Sequence, residues 1–292
     1  MRFSATFSAF CIAAVHAVPT KRDSVPTVPQ ILNYALTLEY LENAFYAQGL
    51  QKYQEQDFEH VGLPDFARGR FLQVAQHEAA HVEFLETALG DAATKPCTYK
   101  FPDTDAKSFA AVSYLLENVG TSAYSGAAKY LSGDTLTAAA SILAVEARHG
   151  AWVNSAVLKA NPWNTAFDTP LDLNQVYTLA SSVIVSCPSS NPALPVKAFP
   201  ALQFPASVKP GTTAKVTYKA DGSSGQHYVA FISGLNTQIV PLNNMEVNIP
   251  GHLEGVVYAV VTSNANTTGD DVTVAGPAFL SFDFGSDGKM LV

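Results

Sequence analysis

Glu78-x-x-His81 and Glu146-x-x-His149 are two copies of one chemical device. Three residues along an α-helix is about 300° of rotation, so each pair sends a carboxylate and an imidazole from one helix face on adjacent turns. Such a pair can grip one ion. Two further acids, Glu39 and Glu117, lie in apolar helical runs, each ahead of one pair. Four glutamates and two histidines drawn from four helices make the ligand set of a dinuclear metal site in a bundle core. Mixed oxygen and nitrogen ligands suit iron or manganese, with two Fe ions the first choice, while the lack of thiolates argues against structural zinc. Without cations, four carboxylates packed together repel, and most would take up protons or need solvent.

An internal repeat chooses between Glu39 and Glu42 as the first ligand. Glu39 is followed seven residues later by Tyr46, and Glu117 seven residues later by Tyr124. Seven residues is nearly two whole turns, so each tyrosine shares a face with its glutamate. The counterpart of Glu42 is Gly120, which has no side chain to offer. Tyr46 and Tyr124 are candidates for a hydrogen bond to a ligand or for electron relay, against the plainer reading of aromatic core residues. Glu42, His77 and Glu83 read as solvated or hydrogen-bonded surface residues, with an ion access path as the alternative. His60, His227 and His252 fall outside the pattern.

The elements that must carry these residues follow from periodicity. Apolar positions at three-to-four spacing predict helices over residues 28–53, 64–90, 105–131 and 134–160, with a polar connection at 54–63 and a shorter helix over 172–184. Residues 91–104, with Pro96 and Pro102, cannot continue a helix and are long enough to run the length of a bundle. At Cys187 the pattern changes. Five prolines mark a linker at 188–205, and short β-rich runs separated by Gly, Asn and Asp follow. The fold class expected is α+β and multidomain: residues 23–187 a four-helix bundle with an extra helix, residues 206–292 a small antiparallel β-sandwich of six or seven strands whose apolar-polar alternation reads as packing.

The first 22 residues carry a basic start, a short apolar run, a small-residue cleavage site and the dibasic pair Lys21-Arg22, which together read as a secretory signal with a short propeptide. The apolar run is too short to span a bilayer. Removing residues 1–22 takes three basic residues and no acid, so the net charge moves from −8 to −11. A chain this acidic argues against nucleic acid and anionic membranes as partners. Cys11 leaves with the signal, and the remaining Cys97 and Cys187 most simply pair in an oxidising compartment, the alternative being two separate buried thiols. Asn266-Thr267-Thr268 is the only glycosylation sequon. No phosphate loop, Gly-x-Ser-x-Gly or Cys-x-x-Cys is present.

On these motifs, residues 28–160 resemble a ferritin-like domain, and residues 91–104 would be its long crossover. Leu38-Glu39-Tyr40-Leu41-Glu42, His77-Glu78-x-x-His81-Val82 and Cys187-Pro188-Ser189-Ser190-Asn191-Pro192 resemble secreted fungal ferritin-like proteins linked to nutritional stress and late sexual development, and more distantly plant desiccation-related proteins. The resemblance implies that Glu78 and Glu146 bridge two metals, that Glu39 and Glu117 each bind one terminally, and that His81 and His149 each give one nitrogen. Two irons so held would react with O2 or peroxide, as in an oxidoreductase. The alternative is a non-enzymatic secreted protein, stress-protective or cell-wall-associated, in which the bundle is a scaffold and the β domain binds a wall or protein partner.

Overall fold

The computed structural model describes residues 25–219 and 225–291; the signal, Cys11 and Lys21-Arg22 lie outside the described residues. Four long helices form the bundle: α1 (Val28–Lys52), α3 (Ala67–Leu89), α4 (Ala106–Ala127) and α5 (Gly133–Trp152). Their ends are written locally. Thr27 caps α1 in a reciprocal box with Gln30, and Asp105 caps α4 in the same way with Ser108. Gly90, at φ +55°, turns the chain out of α3. Packing is pairwise, α1 along α3 and α4 along α5.

Three stretches depart from the periodic reading. The expected polar connection contains a short helix, α2 (Glu55–His60), which exists because Phe58 is buried and Gln54 and Asp57 cap each other. Pro64 precedes the second long helix by three residues, so α3 begins at Ala67. The fourth long helix ends at Trp152 and widens into a π-helical turn, Val153–Val157, before the chain leaves it. A sixth helix, α6, spans Leu173–Ser181 and is capped by Asp172.

The crossover at 91–104 includes β1 (Thr98–Tyr99), which pairs antiparallel with β2 (Ile184–Ser186), and Cys97 is bonded to Cys187 beside it. Closing a loop of 90 residues stabilises the fold by on the order of 4 kcal/mol in the chain-entropy account. Beyond it run β3 (Leu202–Gln203), β4 (Thr213–Lys215), β5 (Thr217–Tyr218), β6 (His227–Ser233), β7 (Asn236–Leu242), β8 (Glu246–Asn248), β9 (Gly255–Thr262) and β10 (Thr273–Phe282). The main antiparallel sheet has the order β10-β9-β6-β7, with Ala230 opposite Val260 and Phe231 opposite Ala259; β3-β5 and β4-β8 form two small companions.

The strand period divides the sheet between two cores. Ala230, Ile232, Val256, Tyr258 and Val260 enter the bundle core, while Val229, Phe231, Val257, Ala259 and Val261 face a second core with Ala214, Val216 and Val247. This corrects the expected apolar-polar alternation: all eight residues of β9 are buried, because both faces of the sheet are covered. The docking is also polar. Tyr258 donates from its hydroxyl to the Asn118 carbonyl at 3.1 Å and lies 2.9 Å from Ser122 Oγ, so the sheet braces α4 next to Glu117.

Candidate metal centre

Each long helix delivers its acid to one point in the bundle interior: α1 gives Glu39, α3 gives Glu78 with His81, α4 gives Glu117, and α5 gives Glu146 with His149. All four carboxylates are at most 1% exposed, and His149 is buried beside them. Ligand atoms of Glu39, Glu78, His81 and Glu146 lie within 4.8 Å of one another, as do those of Glu78, Glu117, Glu146 and His149. Glu78 and Glu146 belong to both groups. All six candidates are therefore together, in two overlapping sets.

The imidazoles face the acids through Nδ1. His81 Nδ1 stands 3.3 Å from Glu39 Oε2, 3.2 Å from Glu78 Oε2 and 3.5 Å from Glu146 Oε1. His149 Nδ1 is 3.0 Å from Glu117 Oε2 and 3.2 Å from Glu78 Oε1. One ring nitrogen carries at most one proton, so it cannot satisfy three acceptors. Glu39 Oε2, Glu78 Oε1 and both oxygens of Glu146 are buried without a hydrogen bond. Orphaned anionic oxygens converging with nitrogen lone pairs fit a divalent cation, and nothing in the donor set conflicts with one.

The electrostatics demand positive charge. Burial raises the Glu39 carboxyl to about 7, even against the downward pull of the His81 imidazole and the Tyr124 hydroxyl. Burial likewise pushes Glu146 well up, aided by the charges of Glu78 and Glu117, and it raises Glu117. Glu78 is the exception: burial works against its charge, but the two imidazoles outweigh it and hold the carboxyl at about 2. Burial opposes the charged imidazoles too, yet the surrounding carboxylates carry His81 up to about 12 and His149 to about 9.

The tyrosines hold the acids crosswise. Tyr46 on α1 donates to Glu117 on α4 and lies 2.7 Å from Ser113 Oγ, whereas Tyr124 on α4 donates to Glu39 on α1. Both sit in the core as well, Tyr46 among Phe45, Phe71 and Phe109. The hydrogen-bonding and packing readings thus describe the same side chains.

Two residues assigned to the surface belong to the cluster. Glu42 is only 4% exposed and sits among Glu146, Glu78, Glu39 and Glu117. His77 is exposed along one edge, but its Nδ1 lies 2.9 Å from Nε2 of His149. The spacing of Glu39 and Glu42, three apart within one apolar run, was the available signal for the first; nothing local marks the second. Glu83 is exposed as expected, and His60 and His252 are exposed away from the cluster.

Residues 27–159 match the family described as ferritin-like domain. Over those residues the chain is similar to a ferritin-like domain. The chain is also similar to Protein rds1 of Schizosaccharomyces pombe, 27% identical over an alignment that covers 78% of the chain and 67% of rds1. No described helix is long and apolar enough to cross a membrane.

Proposed function

We propose that the ferritin-like domain holds two metal ions, iron in the first instance and manganese as the alternative, and that the bound pair reacts with O2 or peroxide. The observation that carries this reading is the pair of four-residue ligand groups sharing Glu78 and Glu146. A bound iron pair supplies the two electrons that such an oxidant takes up. The protein's own residues provide a fixed, dry frame. Tyr46 and Tyr124 orient the two terminal carboxylates, and the rings of Phe45, Phe71 and Phe109 keep water from the Tyr46 side. A His149 that binds through Nδ1 carries its proton on Nε2, from which it donates to His77.

Export from the cell is part of the proposal. The bonded Cys97–Cys187 pair supports an oxidising compartment, and Asn266 stands on an exposed loop where a glycan could be attached. The test uses purified mature protein loaded anaerobically with Fe(II). Two ions per chain and stoichiometric O2 uptake are expected; absence of any binding would end the reading.

A further inference from the structure

Glu42 is the one acid of the cluster that stands outside both four-residue groups. It is buried with its charge turned toward other carboxylates, and it makes no hydrogen bond or ion pair among the described residues. A carboxylate faced by other carboxylates and without a hydrogen-bond donor is costly in a core, so its place there needs a reason.

Gly120 on α4 shows what the site accommodates. A Cβ at Gly120 would lie 2.5 Å from Glu146 Oε2 and 3.0 Å from Glu42 Oε1. Both oxygens therefore converge on the space that the missing side chain leaves, and Glu146 Oε2 is itself buried without a hydrogen bond. Glu42 and Gly120 together line a cavity of about 100 Å³ walled by Leu41, Val112, Leu116 and Val183, which gives the carboxylate room to swing. Glu42 also follows Glu39 by one turn on α1, which sets it next to the Glu39, Glu78, His81 and Glu146 group.

We propose that Glu42 is a fifth carboxylate ligand, recruited to the ion held by Glu39, Glu78, His81 and Glu146 through the gap that Gly120 leaves open. This rests on the two-metal reading above. A fifth carboxylate adds a negative charge beyond what two divalent cations cancel, so the site as a whole favours hard, oxygen-preferring metals and their more highly charged states.

Anaerobic titration with Co(II), followed by equilibrium dialysis and the d–d absorption of the bound ion, tests this on three proteins: wild type, Glu42→Gln and Glu42→Asp. Glutamine keeps the shape and removes the charge; aspartate keeps the charge and withdraws the oxygen. Ligation predicts that both variants bind one of two Co(II) ions at least tenfold more weakly, with that ion's absorption changed and the other's unchanged. Wild-type behaviour in both variants would overturn the proposal, since Glu42 would then be a protonated spectator. Loss in Glu42→Gln alone would also overturn it, leaving only a through-space field. Absence of Co(II) binding by wild type would instead defeat the two-metal reading itself. Circular dichroism of each variant checks that the bundle is intact.

Discussion

The two helix pairs of the bundle carry the same candidate ligands in the same order, yet their surroundings differ. The α1/α3 pair offers Glu39, Glu78 and His81, and adds Glu42 and His77; the α4/α5 pair offers Glu117, Glu146 and His149, and has Gly120 and Val145 at the corresponding places. Both additions act across the bundle. Glu42 Oε1 faces the space beside Gly120, and His77 reaches His149. A repeated ligand set fixes what can bind, and the non-repeated neighbours make the two positions unequal. One position gains an anionic neighbour and the other gains an oriented imidazole.

The largest expected effect separates shared from unshared ligands. Glu78→Ala or Glu146→Ala removes a ligand from both positions at once, so metal content should fall from two ions per chain to none. Glu39→Ala or Glu117→Ala should cost one ion and leave the other. Elemental analysis of the dialysed variants decides the matter. If Glu78→Ala lost one ion as Glu39→Ala does, the two groups would not share a member and the comparison of halves would have to be redrawn.

A smaller effect sharpens the inequality. His77 holds the outer nitrogen of His149, while among the described residues no hydrogen bond to the outer nitrogen of His81 is formed. Losing such a partner commonly costs 10- to 100-fold in metal affinity. His77→Ala should therefore weaken one Co(II) site by about that factor and spare its neighbour, whereas Val145→Ala, at the matching position, should change neither. Equal weakening of both sites would show that His77 acts on the cluster as a whole.

How far the sequence disclosed this arrangement depends on how local each feature is. Glu-x-x-His works within one helical turn and marked four of the six candidate ligands, the Glu-to-Tyr repeat between helices marked Glu39 and Glu117, and periodicity made the bundle and the change to strands after Cys187 legible. Burial of Glu42 was not, because it depends on Gly120 in another helix. The repeat set Glu42 aside because its counterpart is Gly120, but gave no hint that the bare glycine makes room for an acid. The crosswise tyrosines follow from how helices pair, which periodicity within one helix cannot express. The sheet misled for a similar reason: Val256 to Val261 read as ordinary β-sequence, and only docking against α4 explains why no polar face is present. The short helix α2 was hidden because a single buried aromatic, Phe58, holds it.

The smallest effect lies outside the cluster and guards against misassigning pH dependence to it. Asp172 caps α6 by accepting from the Gln175 backbone N–H at 2.8 Å. Burial raises its carboxyl from 3.8 to about 6, with the nearby Asp270 charge adding to the shift. A carboxyl raised in the fold is stabilising in its protonated form, so its contribution is fully present below about pH 4 and is lost as pH rises through about 6. Asp172→Asn keeps a good cap and never ionises. The variant should match wild type near pH 4 and exceed it above pH 7, by on the order of 2 kcal/mol once partial exposure is discounted. Thermal melts of chelator-treated protein across that range measure it. A difference that stays flat with pH would mean that Asp172 titrates normally, and the pH dependence of stability would then belong to the two helix pairs and their carboxylates.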